Sequence, residues 1–426
     1  MPHHDVPLDI DTVHHRMIVG DHAEGKAHIL HCNYYNNYLL RTIWKDAGKI
    51  IDAERLLIGA AAEQSYFQLA ALFAQQSITE VAARKDFAER FYSWQGFGTI
   101  DLAPIDAGGG TTMSTSQHYA EGWVAQFGRA DSPVGFMTSG WLAGAAAAIY
   151  DAPQYRFSVS QHGCTAMGIG HPSIFELRAD GANYTLFDGR GVGPLSRDHS
   201  LRDEIPHHID SAAVGDAILT LPLFGSAAVD GGLIRAFDVL ITWHPHQYYD
   251  RVSFECLRET SRKHGAAGRE MVEQLLEEAG HRCGFRTFGG IWRSPEWQAL
   301  VAPMCANRED WVMGMIAIIN RAGWGRIQCT ALDRDGAVFV VHDDYESVGY
   351  LNLYGPADFA ATYLMPGGLR GLMNLVYNGD IMDRPLLTER FYDELCRRPD
   401  AFATRVEQCR AMGDDASVYR VTRKTA

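Results

Sequence analysis

The chain has no CxxC pair and no run of apolar residues approaching the roughly 20 that a membrane-spanning helix needs. Its eight cysteines, Cys32, Cys164, Cys256, Cys283, Cys305, Cys329, Cys396 and Cys409, are scattered. Scattered cysteines in a long chain read as free thiols, and no disulfide framework is expected. The opening MPHHDVPLDIDTVHH lacks the basic start and apolar core of a secretory signal, so the cytoplasm is the expected location and no membrane span is expected. Positive charge is also short: 38 Lys and Arg stand against 52 Asp and Glu, a net charge of −14. That balance excludes a broad phosphate-binding face, and no helix clusters Lys and Arg for base recognition, so no nucleic-acid partner is expected. What remains is 426 residues, 46% of them apolar, enough for two or three folded domains.

Glycine, by contrast, is plentiful and patterned. GFGTIDLAPIDAGGG, from Gly96, looks like a phosphate loop, but a helical pattern precedes it (EVAARKDFAERFYSW, 80–94) and extended sequence follows. A phosphate loop needs strand, glycine loop and helix in that order. The stretch recurs instead as GWGRIQCTALDRDGA from Gly323, 227 residues on, and the match runs without a gap from Gly96 to Tyr150. Gly96/Gly323, Gly98/Gly325, Asp106/Asp333, Gly122/Gly349, Gly140/Gly367 and Gly144/Gly371 are among the identical pairs. Beyond an extra segment in the second copy, CTAMG at Cys164 meets CRAMG at Cys409; upstream, CNYYNNY at Cys32 resembles HQYYDRV at His246. The chain reads as a tandem duplication with a pseudo-twofold relation, residues 1–178 and 213–426, joined by a polar linker over 179–212. Apolar spacing predicts helices over 52–76, 80–94 and 268–283, and TSGWLAGAAAAIY, 138–150, reads as a buried helix. The segments 96–126 and 337–354 read as strands with tight turns. The expected class is α+β, twice: an antiparallel sheet with packed helices in each copy.

The order G-[FW]-G-x-I, strands ending in [FY]-G, a GxLxG helix and CxAMG resembles the 4-vinyl reductase domain family, most closely over residues 126–168. The resemblance implies a small hydrophobic or aromatic ligand held between sheet and helices, as in the sensing domains of phenol-responsive activators. Relatives of that kind carry a structural zinc on three cysteines and a glutamate. Here those positions are Gly135, Gln161, Cys164 and Pro172 in the first copy, and Thr362, Val406, Cys409 and Ser417 in the second. One thiolate per copy cannot make a four-ligand zinc site, and no such zinc is expected.

Candidate chemistry divides into three groups. His31 beside Cys32 offers a Cys/His nucleophile, although neighbours on a strand point to opposite faces. Cys164 has His162 and His171 nearby in sequence and His118 as a further partner. His31, His244 and His246 offer a metal or haem ligand set. Tyr119, Trp123, Phe136 and Trp141, with Gln117 and His118 as polar groups, are expected to line a ligand pocket in the first copy. In the second copy Tyr345, Tyr350 and Tyr363, with Asp344 and Glu346, stand at the matching places. The paired histidines at the amino terminus (His3, His4, His14, His15) and His207 with His208 read as exposed. Two functions stay open: a binding or carrier protein for a small aromatic or hydrophobic molecule, and an enzyme using His31, Cys32, His118 and Cys164. A homodimer is possible for either.

Overall fold

The computed structural model describes residues 6–20, 26–168, 172–189 and 200–424. The first half contains β1 (Leu8–Asp11), β2 (Arg16–Val19), β3 (Lys26–Cys32), α1 (Asn33–Arg41), α2 (Ala53–Gln75), α3 (Val81–Trp94), β4 (Gly109–Ser114), α4 (His118–Phe127), α5 (Phe136–Ile149), β5 (Ser158–Gly163) and β6 (Ser173–Arg178). After α6 (Ser211–Leu219) and α7 (Ala227–Asp230) come β7 (Ile234–Ala236), β8 (Val239–Pro245), α8 (His246–Cys283), α9 (Gly289–Arg293), α10 (Pro295–Leu300) and α11 (Arg308–Ile319). The chain closes with β9 (Arg326–Asp333), β10 (Gly336–His342), α12 (Tyr345–Tyr354), α13 (Leu364–Tyr377), α14 (Glu389–Arg397), β11 (Phe402–Gln408) and β12 (Ser417–Arg423). The class is mixed α+β with antiparallel sheets.

Three sheets organise these elements. A three-stranded sheet has the order β4-β6-β5, and a four-stranded one the order β11-β12-β10-β9. The third, five-stranded, runs β1-β2-β3-β8-β7, so its centre joins a strand of the first half to a strand of the second. In that central pair His28 lies opposite Pro245, Leu30 opposite Trp243, His31 opposite Thr242 and Cys32 opposite Ile241. Strand formation here follows from a nearly continuous apolar run in β8, VLITWHP, all of it buried.

Helices pack around the sheets. The fully buried α5, rich in alanine and glycine, lies against α2, and α13 lies against α8. Helix α8 is broken at Gly265, where φ is +60°, so its second part begins as a new helix. An ion pair crosses between the halves: Arg251 of α8 donates from Nε and Nη2 to the Glu63 carboxylate of α2, both at 2.9 Å and both residues buried.

Two sequence expectations change. HYAEGWVAQF (118–127) and YESVGYLNLY (345–354) are helices, not strands. Their apolar residues alternate locally, yet each begins just after an extended residue and ends at a glycine with positive φ, Gly128 or Gly355. The amino-terminal histidines differ too. His14 bonds Asp11 in the β1–β2 turn, and His15 bonds the Asn320 carbonyl, while His3 and His4 lie outside the described residues. The described ends of the expected linker are docked, Thr185 on Arg55 of α2 and Ile205 on Cys329 of β9.

Candidate functional site

Alternation along β3 and β8 gives the central pair two distinct faces. On one, helices α1, α8, α4 and α12 bring a buried set of rings onto His31 and His244. His31 stacks on Tyr35 with centroids 4.3 Å apart and touches Tyr249 and Trp324 at 4.8 and 5.0 Å. His244 stacks on Tyr248 at 4.7 Å and touches Phe97 and Tyr249 at 4.7 and 4.9 Å. Polar atoms in this layer are tied by Asn36, whose Nδ2 lies 2.9 Å from both His118 Nε2 and Thr242 Oγ1. Tyr249 donates its hydroxyl to Asn36 Oδ1 at 2.6 Å, and the Tyr119 hydroxyl pairs with His244 Nε2 at 2.9 Å. Neither nitrogen of His31 has a hydrogen-bond partner. Burial holds these imidazoles neutral: it pushes His118 down to about 3, His31 and His244 well below the usual histidine range, and Tyr119 up.

The opposite face is asymmetric. Around Trp243 of β8 the space is filled, because Trp243, Phe224 and Trp94 stack at 5.1 to 5.6 Å. Around Leu30 of β3 it is not. An apolar cavity of about 50 Å³ remains there, walled by Leu30, Cys32, Phe288, Ile291, Ile319 and Trp324, with His31 bordering it. Arg321 supplies its one cationic group, and the Arg321 Nη1 atom is buried without a hydrogen-bond partner. The volume exceeds the share of one water, roughly 30 Å³, and is well below the roughly 150 Å³ that accommodates benzene.

Cys32 is the thiol on that wall. It is the N-cap residue of α1 and makes no side-chain cap hydrogen bond. Thr287 Oγ1 lies 2.6 Å from Cys32 Sγ and 3.5 Å from Cys283 Sγ. Burial alone would raise the Cys32 thiol, but the surrounding polar groups outweigh it and hold the thiol below its ordinary value, while burial pushes Cys283 well above.

The structure separates several residues that the sequence suggested as groups. His31 and Cys32 do not form a dyad: the histidine ring sits among Tyr35, Tyr249 and Trp324, and the thiol bonds Thr287. Cys164 is buried at the end of β5, whereas His162 is exposed and pairs with Glu176; His171 lies outside the described residues. His118 is committed to Asn36. Tyr119, Trp123, Phe136 and Trp141 are core rings, packed on His244, Trp44 and Tyr92, and Gln117 is buried just before α4. None of these five borders the cavity. In the second half Glu346 accepts the N–H groups of Tyr363 and Leu364 at the start of α13, and Asp344 accepts from Ser347 and Tyr419, so both carboxylates serve the packing.

The metal and haem expectation for His31, His244 and His246 meets a similar answer. His246 bonds the His28 carbonyl and His244 bonds Tyr119, and among the described residues no three His, Cys, Asp or Glu side chains are grouped to hold a metal ion. At the zinc-equivalent positions, Gln161 fills the space by accepting from Gly135 N and donating to the Gly163 carbonyl. Sequence reading missed Cys283, Thr287, Arg321 and Trp324. Only the spacing of Cys283 and Thr287, four residues apart in a helical run, hinted that those two share a face.

No family model matches the sequence, and no curated protein matches it. Among solved structures, the chain is similar to the crystal structure of the phenol-responsive sensory domain of the transcription activator PoxR with phenol. The identity is 12%, the TM-score 0.36, and the match covers 50% of this chain and 89% of that one. At that distance the function rests on the geometry of this chain's own residues. No helix among the described residues is long and apolar enough to cross a membrane.

Proposed function

We propose that the protein binds a small apolar molecule, aromatic or aliphatic, in the cavity beside Leu30 and Trp324, as a binding or carrier protein. The observation that carries this reading is the asymmetry of the central sheet: Trp243, Phe224 and Trp94 close one side, while the corresponding side at Leu30 keeps an apolar space. A ring needs more room than the present volume. Arg321 is the wall that yields, since Nη1 has no partner and its Nε side rests on Gly215. This moves the expected pocket from the first copy to the junction, with most of its wall from residues beyond 217.

The same proposal reads the chain as two 4-vinyl-reductase-like units, 1–178 and 213–426, that exchange strands. Supporting it, the order α3, β4, α4, α5, β5, β6 is repeated by α11, β10, α12, α13, β11, β12, with β9 and α14 added. Gly122 lies against Asn37 and Gly349 against Asp250, so the two YY segments correspond one residue away from the alignment in which their letters agree best. Pairing of β3 with β8 completes the cavity within one chain, and no homodimer is required for it. The free cysteines fit the reducing cytoplasm.

Phenol and indole are suitable probes. Titration followed by calorimetry and thermal melting is expected to show saturable binding that the Leu30→Trp substitution abolishes, with the variant remaining folded by circular dichroism. Absence of binding by either probe, or binding unchanged in Leu30→Trp, overturns the reading. Native mass spectrometry of the protein as isolated then identifies any retained molecule.

A further inference from the structure

The geometry points to a two-thiol redox centre in this cavity, with Cys32 as the thiol that attacks a small hydroperoxide and Cys283 as the thiol that resolves it. The inference shares the cavity with the binding reading but needs neither an aromatic ligand nor a widened space.

A shared hydroxyl is the first argument. Thr287 Oγ1 stands between the two sulfurs, 2.6 Å from Cys32 Sγ and 3.5 Å from Cys283 Sγ, which brings both thiols to one spot. With the Thr287 hydroxyl donating to it, Cys32 is favoured as the ionised nucleophile. Its place at the amino end of α1 adds the favourable end of the helix dipole. Access is the second argument. Cys32 and Thr287 line the cavity and Cys283 does not, so a molecule there meets Cys32 first and finds Cys283 behind it. Size and charge are the third. About 50 Å³ suits hydrogen peroxide or a short alkyl hydroperoxide, and the unpartnered Arg321 Nη1 on the same cavity favours the negative charge that develops on the leaving oxygen.

The chemistry balances with the two thiols as reductant. The Cys32 thiolate attacks one peroxide oxygen; the S–O bond forms, the O–O bond breaks, and the leaving alkoxide or hydroxide takes up the proton that the thiol gave up on ionising. The products are a sulfenic acid and an alcohol or water. Cys283 then attacks the sulfenic sulfur, its proton leaves with the departing hydroxyl as water, and a Cys32–Cys283 disulfide remains. An external thiol restores both groups by exchange.

The test uses the full chain, reduced, desalted and treated with one equivalent of hydrogen peroxide before intact-mass and peptide analysis. Expected is a loss of about 2 Da mapped to Cys32–Cys283, faster than oxidation of the more exposed Cys305 and Cys396. Cys283→Ser is expected to stop at a gain of about 16 Da on Cys32 that dimedone traps, and Cys32→Ala to show neither product. Wild-type protein that oxidises Cys305 or Cys396 first, forms a different disulfide or stays unmodified overturns the inference, and this readout needs no variant to fold. Indole binding by wild type that peroxide leaves unmodified removes the redox centre alone; disulfide formation in a wild type that binds neither phenol nor indole removes the binding reading alone.

Discussion

Gly96 packs against the Ile241 carbonyl of β8, and a Cβ added there would lie 2.6 Å from that oxygen. Gly323, its partner in the sequence repeat, packs in the same manner against the His28 carbonyl of β3. Both have φ near +80°. Each glycine therefore touches the central strand contributed by the other half, and the repeated GFG/GWG element marks where the halves interlock.

Gly323→Ala and Gly96→Ala are expected to destabilise the protein by more than the roughly 1–3 kcal/mol of a strained backbone conformation, because a carbonyl clash is added. Gly128→Ala provides the comparison, since φ there is +77° with nothing within 4 Å of the new Cβ. Thermal melts should place Gly128→Ala closer to wild type than either of the other two.

Asn36 satisfies three buried partners at once, His118, Thr242 and Tyr249. Asn36→Leu leaves His118 and Tyr249 without these partners, at about 1–3 kcal/mol for each buried group, while Thr242 keeps its bond to the His31 carbonyl. A loss of several kcal/mol in denaturant unfolding is expected; a loss below about 1 kcal/mol, the effect of a single exposed bond, would show the network to be dispensable.

Stability should peak near pH 6.5. Burial depresses His15, His28, His31, His118, His244, His246 and His281, with His15 and His28 at about 4 and His118 and His246 at about 3. Above pH 6.5 neither state binds these protons. Below it the unfolded chain takes them and the fold does not, so stability falls by about 1.4 kcal/mol per pH unit for each histidine. On the alkaline side Glu346, pushed up to about 8 by burial and by the Asp344 carboxylate, keeps a proton that the unfolded chain has released. Stability therefore also declines between about pH 6.5 and 8, by a smaller slope. Melting temperatures across pH 4 to 9 check both limbs, and a flat profile from pH 4 to 6.5 would contradict the first.

Trp243→Ala should open, in the filled side of the sheet, a space like the one beside Leu30. Removing a buried tryptophan costs about 3–5 kcal/mol. Indole is expected to restore part of the lost melting temperature, with a larger shift than it gives wild type. Equal shifts in the two proteins would mean that the space collapses.

The helices at 53–75, 81–94 and 136–149 are legible in the sequence, because apolar spacing and the small residues of α5 are local properties. It also carried the 227-residue register, since turns with positive φ require glycine wherever they recur. It misread α4 and α12, whose short apolar alternation mimics a strand until the helix is docked on the central sheet. The pairing of β3 with β8, the packing of the aromatic residues at 119, 123, 136 and 141 in the core and the cavity at Leu30 arise only where distant segments meet. Cys32 shows the physical reason. Its hydrogen-bond partner is Thr287, 255 positions along the chain, and no local pattern in the sequence records a contact between residues so far apart.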